Sequence, residues 1–132
     1  MRLEVRTTRR EDLIDVTSRV AEAVAASGVL DGVVLVSSPH TTAGITVNEN
    51  ADPDVVRDLL HGLTRVSPLE GGWHHFEGNS DAHLKTALVG SSATLPVRAG
   101  RVSLGTWQAI YFAEFDGPRS RTLDVTVVPG VG

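Results

Sequence analysis

The chain has 132 residues, of which 41% are hydrophobic and 21% charged, with a formal net charge of −4 and no cysteine. That length suits one domain with a real core, expected to span 1–132. The acidic balance, with no basic stripe, argues against nucleic acid as a partner, and no apolar run approaches the ~20 residues of a membrane span. Without cysteine there are no disulfides and no thiolate ligands, so any metal site must use His, carboxylates and water. The opening Met1–Arg6 lacks the apolar core of a signal peptide, making a cytoplasmic protein the default expectation.

Leu3 and Val5 alternate with Arg2, Glu4 and Arg6, which predicts a half-exposed strand over 2–8. Asp15 or Thr17 offers a cap. Val16, Val20, Ala23 and Val24 then recur at helical spacing before Gly28, giving a helix at 16–27. The short unbroken apolar run at 33–36 reads as a buried strand or a very short buried helix, its length and β-branching favouring the strand, which Pro39 ends, and 44–48 reads as the next strand. His40, Thr41 and Thr42 lie in the connection between them, where chemistry commonly sits.

Asp52-Pro53-Asp54 starts a second helix with a capping carboxylate, a Pro at the first helical position and an acid in the first turn. Val55, Val56, Leu59, Leu60 and Leu63 form its apolar face; His61 falls on the polar side and is expected in solvent. After Gly71-Gly72, Asn79, Ser80 and Asp81 offer a cap and Gly90 an end, giving a short helix at 80–89. The remainder predicts strands at 94–98, 101–106, 107–115 and 121–128, joined by short turns. The fold class is therefore α+β. We expect a single domain dominated by an antiparallel sheet or sandwich, jelly-roll-like, with two longer helices and one short one.

Chemistry concentrates between Trp73 and Lys85, which holds His74, His75 and His83. With His40, the pair His75 and His83 could supply the three protein ligands of an open metal site, from a loop, a strand end and a helix start. The spacing matches no short zinc signature, so His74 and His75 read equally well as ordinary strand-end residues. In the first turn of a helix His83 is biased toward the neutral form that binds metal or acts as a base. The free N–H groups of that turn make a phosphate site, to which Lys85 adds charge unless it is simply solvated. Glu49 reads as a partner for a ligating His, as a general base, or as turn chemistry. Asp81 is a cap or a catalytic carboxylate, Trp107 a core residue or a ligand platform, and Arg119 an anion clamp or a solvated turn residue. No nucleophile is evident, which disfavours covalent catalysis.

Three ordered motifs, 39–50 (Pro-His-Thr-Thr-Ala-Gly-Ile-Thr-Val-Asn-Glu-Asn), 79–85 (Asn-Ser-Asp-Ala-His-Leu-Lys) and 104–108 (Leu-Gly-Thr-Trp-Gln), resemble the YjbQ-type family, whose members carry the name secondary thiamine-phosphate synthase. The likeness runs from about Leu13 to Val128. It implies a compact α+β domain, a homotrimer, and a metal-dependent enzyme joining hydroxymethylpyrimidine diphosphate to a thiazole phosphate with release of pyrophosphate. It maps His40, His75 and His83 onto metal-coordinating positions for a divalent ion, zinc or magnesium, with His74 as the alternative to His75. It also marks Thr41, Thr42, Asn48, Asn79, Thr106 and Trp107 for substrate or phosphate, with Arg119 added from its turn. Asp81, Glu49 and Lys85 are the candidate catalytic groups. A metal-assisted hydrolase of a phosphorylated metabolite and a non-catalytic metal- or ligand-binding trimer are the alternatives.

Overall fold

The computed structural model describes residues 1–131, and every strand pairing among them is antiparallel. In chain order the elements are β1 (Arg2–Arg6), β2 (Asp12–Asp15), α1 (Thr17–Ser27), β3 (Gly32–Ser37), β4 (Ala43–Glu49) and α2 (Pro53–Val66). There follow α3 (Ser80–Val89), β5 (Ser92–Arg98), β6 (Arg101–Val102), β7 (Gln108–Glu114) and β8 (Ser120–Pro129). One sheet runs β1-β8-β3-β5-β6 and a second runs β2-β7-β4, giving the expected α+β class.

Strand β7 organises the packing. Ile110 and Phe112 point into a core shared by both sheets and α1, with Val34 and Val36 of β3, Leu123 and Val125 of β8, and Val20 and Val24 of α1. The alternate residues Ala109, Tyr111 and Ala113 face the other way, toward Ala82 of α3 and the apolar stripe of α2. A strand covered on both faces reads as a continuous apolar run. Full burial of each such Val, Leu or Phe contributes roughly 1.5–3 kcal/mol. The small residues Ala109, Ala113 and Ala82 let α3 lie close against the sheet. The α2 stripe fares differently: Val55, Val56, Leu59, Leu60 and Leu63 are only half-buried.

Several expectations are corrected. β2 is an unexpected strand, too short and too acidic to show an alternating pattern; Val16 stands at the start of α1, and Asp15 before it accepts the Thr17 N–H at 2.9 Å. The strand expected at 101–106 stops at Val102; beyond it Gln108 Oε1 accepts from the Gly105 N–H at 2.7 Å and turns the chain into β7. His74 and His75 lie on an exposed loop between α2 and α3, not at a strand end. His61 is exposed, as expected.

Glycine is required where α3 ends. A Cβ on Gly44 of β4 would meet the Gly90 carbonyl oxygen at 2.4 Å. The same carbonyl accepts the Ile45 N–H at 3.1 Å, so the exit of α3 is bonded directly to the strand that follows His40-Thr41-Thr42.

Candidate functional site

Three connections meet at one end of the second sheet and enclose a cavity of about 470 Å³. The β3–β4 connection brings His40, Thr41 and Thr42; the loop before α3 brings His75 and Glu77. The start of α3 brings Asn79 and His83, the β7–β8 turn brings Asp116 and Arg119, and the start of β8 brings Arg121. Three histidines expected from the sequence therefore do converge. The rings of His75 and His83 stand edge to face with centroids 5.6 Å apart.

His40 is held by β8. Its Nε2 accepts the backbone N–H of Thr122 at 3.0 Å. Burial and the charge of Arg121 hold its pKa below the ordinary histidine value. A neutral ring whose Nε2 accepts carries its proton on Nδ1, so it offers a donor and no free lone pair. In this arrangement the acceptor nitrogen of His40 is engaged by β8. Among the described residues no group of three or more His, Asp or Glu side chains stands close enough to hold one ion. Of the three histidines, His75 and His83 are the two whose rings stand together.

Beneath the cavity lies a buried ion pair. Arg121 donates through Nε to Glu114 Oε1 at 2.8 Å and through Nη2 to Glu114 Oε2 and to Thr42 Oγ1, the last at 2.8 Å. Thr7 Oγ1 and the Asp116 N–H also donate to Glu114. Burial alone would push the Glu114 carboxyl up. The bonds from Arg121 and Thr7, with the Arg121 charge, outweigh it and hold Glu114 below the usual carboxylate range. Arg121 is therefore largely neutralised, and it fixes Thr42. Above it, Arg119 Nη2 donates to Asp116 Oδ2 at 3.0 Å and remains half-exposed. Gly117, in the same turn, must be glycine because a Cβ would meet the Arg9 carbonyl oxygen at 2.2 Å.

Asn79 donates through Nδ2 to Asp116 Oδ2 at 2.8 Å, while its Oδ1 is buried without a partner. Its side chain makes no hydrogen bond to the first turn of α3, while its carbonyl accepts the Ala82 and His83 N–H groups at 3.0 and 3.3 Å, which leaves those of Ser80 and Asp81 at the helix start. Such a turn favours an anion.

The remaining candidates are placed elsewhere. Asp81 and Lys85 are fully buried on the inner side of α3 and do not line the cavity. Arg10 grips Asp81 with two bonds of 3.1 Å, and Lys85 Nζ lies 2.8 Å from Glu11, 3.2 Å from Thr64 Oγ1 and 3.5 Å from Asp81. Burial pulls the Asp81 carboxyl up, but Arg10 and Lys85 overcome it and hold the pKa low. Lys85 is not solvated, and its ammonium is held by Glu11, Thr64 and Asp81. Asn48, Glu49, Thr106 and Trp107 sit at the opposite end of the β4–β7 ladder. From Ala43 to Glu49, at about 3.3 Å per residue, that is about 20 Å. There Tyr111 Oη donates to the Glu49 carbonyl at 3.0 Å, Asn48 Oδ1 accepts the Glu49 N–H, and Trp107 is exposed.

Sequence reasoning missed Arg121, Glu114 and Asp116. A signal for the first existed: Arg121 continues the inward series of Leu123 and Val125, and a charge at an inward position demands a buried partner.

Fold and cavity together define a two-sheet α+β protein with a polar, histidine-bearing pocket at a helix N-terminus. The family model described as UPF0047 protein YjbQ-like matches residues 1–130, and the chain belongs to that family. It is 48% identical over 125 residues to UPF0047 protein MJ1081 of Methanocaldococcus jannaschii, covering 95% of this chain and 91% of that protein. It is 50% identical over 121 residues to UPF0047 protein YugU of Bacillus subtilis, covering 91% and 92%. A YjbQ/UPF0047-family crystal structure from Clostridium acetobutylicum superposes with a TM-score of 0.95 at 51% identity, over 97% of this chain and 99% of that one. A YbjQ-like protein from Sulfolobus solfataricus gives 0.95 at 32% identity, over 98% and 96%. No helix among the described residues is long and apolar enough to cross a membrane.

Proposed function

We propose that the pocket binds a phosphorylated small molecule and that the chain is an enzyme of the thiamine-phosphate-synthase type. The observation that carries this reading is the meeting of His40, His75, His83 and Arg119 over a helix start with no side-chain cap. In the reaction, the thiazole ring nitrogen bonds to the pyrimidine methylene carbon as the carbon–oxygen bond to diphosphate breaks. The bonding pair leaves with pyrophosphate and no proton need move. What such a step needs is charge stabilisation on the leaving group. Arg119, the start of α3 and the Nδ1–H of His40 would give it.

A divalent ion, zinc or magnesium, would add to that stabilisation when bound. On this chain His75 and His83 would hold it as a pair, with the other ligands drawn from substrate oxygens or water. We also propose a homotrimer, whose interfaces would cover the half-exposed stripe of α2 and bring the Glu49–Trp107 end of one copy toward another. Hydrolysis of a phosphomonoester is a second reading, favoured by the exposure of the whole loop carrying His75 and Glu77.

The test is turnover of hydroxymethylpyrimidine diphosphate with thiazole phosphate, with magnesium or zinc and after chelation. Thiamine phosphate and pyrophosphate, lost in His83→Ala, support the reading. No product under any condition, from protein that is folded, sinks it.

A further inference from the structure

A second cavity, of about 480 Å³, lies against the first and shares Pro39, His40, Thr41 and His83 with it. Its other walls are Ser38, Thr86, Ala87, Gly90 and Ser91. The two lobes differ in charge. The first holds Arg119, Arg121, Asp116 and Glu77; the second, apart from the shared histidines, has no ionisable side chain. Each volume falls in the range of small-ligand sites.

Thr86 lines the second lobe, with its hydroxyl oxygen closed to solvent behind the wall. It is more than nine-tenths buried and its Oγ1 has no hydrogen-bond partner. An unpaired buried hydroxyl costs stability. A helical threonine populates two χ1 rotamers, and a step between them would reposition the hydroxyl so that it can meet a ligand in the lobe.

We propose that the site is two-lobed and takes a phosphomonoester lengthwise, its phosphate in the Arg119–Asn79 lobe and a neutral, hydrogen-bonding ring in the Ser38–Thr86–Ser91 lobe. His40 and His83 flank the junction. A charged body is disfavoured in the second lobe because nothing there pairs with it. A wholly apolar one would leave the Thr86 hydroxyl without a partner. This deepens the phosphorylated-ligand reading above and rests on it.

The experiment measures binding of two probes, inorganic phosphate and 4-methyl-5-(2-phosphooxyethyl)thiazole, by calorimetry. Ala87 is exposed on α3, so Ala87→Phe can fill the second lobe from its rim; Ser91→Trp, also exposed, is a second blocker from the opposite wall should the first not fold. Wild type should bind the thiazole phosphate at least tenfold more tightly than inorganic phosphate. Either blocker should bring the two affinities together while leaving inorganic phosphate unchanged. Equal affinities in wild type, or an advantage that survives both blockers, would overturn the second lobe and leave the first standing. Failure of both probes to bind wild type would overturn the first lobe as well.

Discussion

The backbone N–H of Thr122 donates to His40 Nε2 at 3.0 Å, tying the loop after β3 to strand β8. This contact chooses the tautomer of His40. Burial comes first in lowering its pKa, and Arg121 adds to it. The ring is therefore neutral at pH 7, and protonating it would break the bond to Thr122. In ¹⁵N-detected histidine spectra, His40 should show a protonated Nδ1 and titrate below the ordinary value of about 6.5. Titration at or above that value would mean the bond is not formed in solution.

Glu114 has no solvent exposure and is paired with Arg121. Removing the charge from one member of a buried pair strands the other, typically at a cost of about 3–5 kcal/mol. Glu114→Gln should lower stability by that order in urea titration. It should also loosen Thr42, since Arg121 holds both. A loss under about 1 kcal/mol would show that water reaches the pair.

Acid should act through the same carboxylates. Glu114 and Asp81 both have folded pKa values below their unfolded ones, near about 4.3 and 3.9. A depressed carboxylate contributes stability that is fully present above the unfolded value and disappears as pH falls through the folded one. Stability should therefore hold from neutral pH to about 4.5 and drop steeply below it. Asp81→Asn should flatten that acid limb relative to wild type. An unchanged limb would mean other groups drive the acid transition.

Gly44→Ala tests the seam between α3 and β4. The added methyl would sit 2.4 Å from a backbone carbonyl, so the helix end must move. Overpacking of this kind costs about 1–3 kcal/mol, and it should weaken phosphate binding because His83 rides on the same helix. His61→Ala, on the exposed side of α2, should change melting by less than about 0.5 kcal/mol.

Periodicity revealed most of the scaffold because its causes are local. The start of α2 follows from the Asp52 cap and Pro53, and the end of α3 from a stopping Gly90. β2 did not show, because four residues flanked by acids carry no period, and its place beside β7 is set by Leu13 and Phe115 meeting in three dimensions. The convergence of His40, His75 and His83 was legible only through the motifs. The tautomer of His40 was not, since it depends on Thr122, far along the chain. Lys85 shows the same limit: a lone Lys in a polar stretch gives no hint of Glu11 waiting behind it.

Because β7 is enclosed on both sides, none of its inward positions can change without disturbing one core or the other. Relatives that keep this scaffold but prefer different ligands should therefore differ in the exposed segment 71–78 and at the rim of the second lobe. Exchanging that segment between two family members should transfer ligand preference while leaving the melting temperature nearly unmoved.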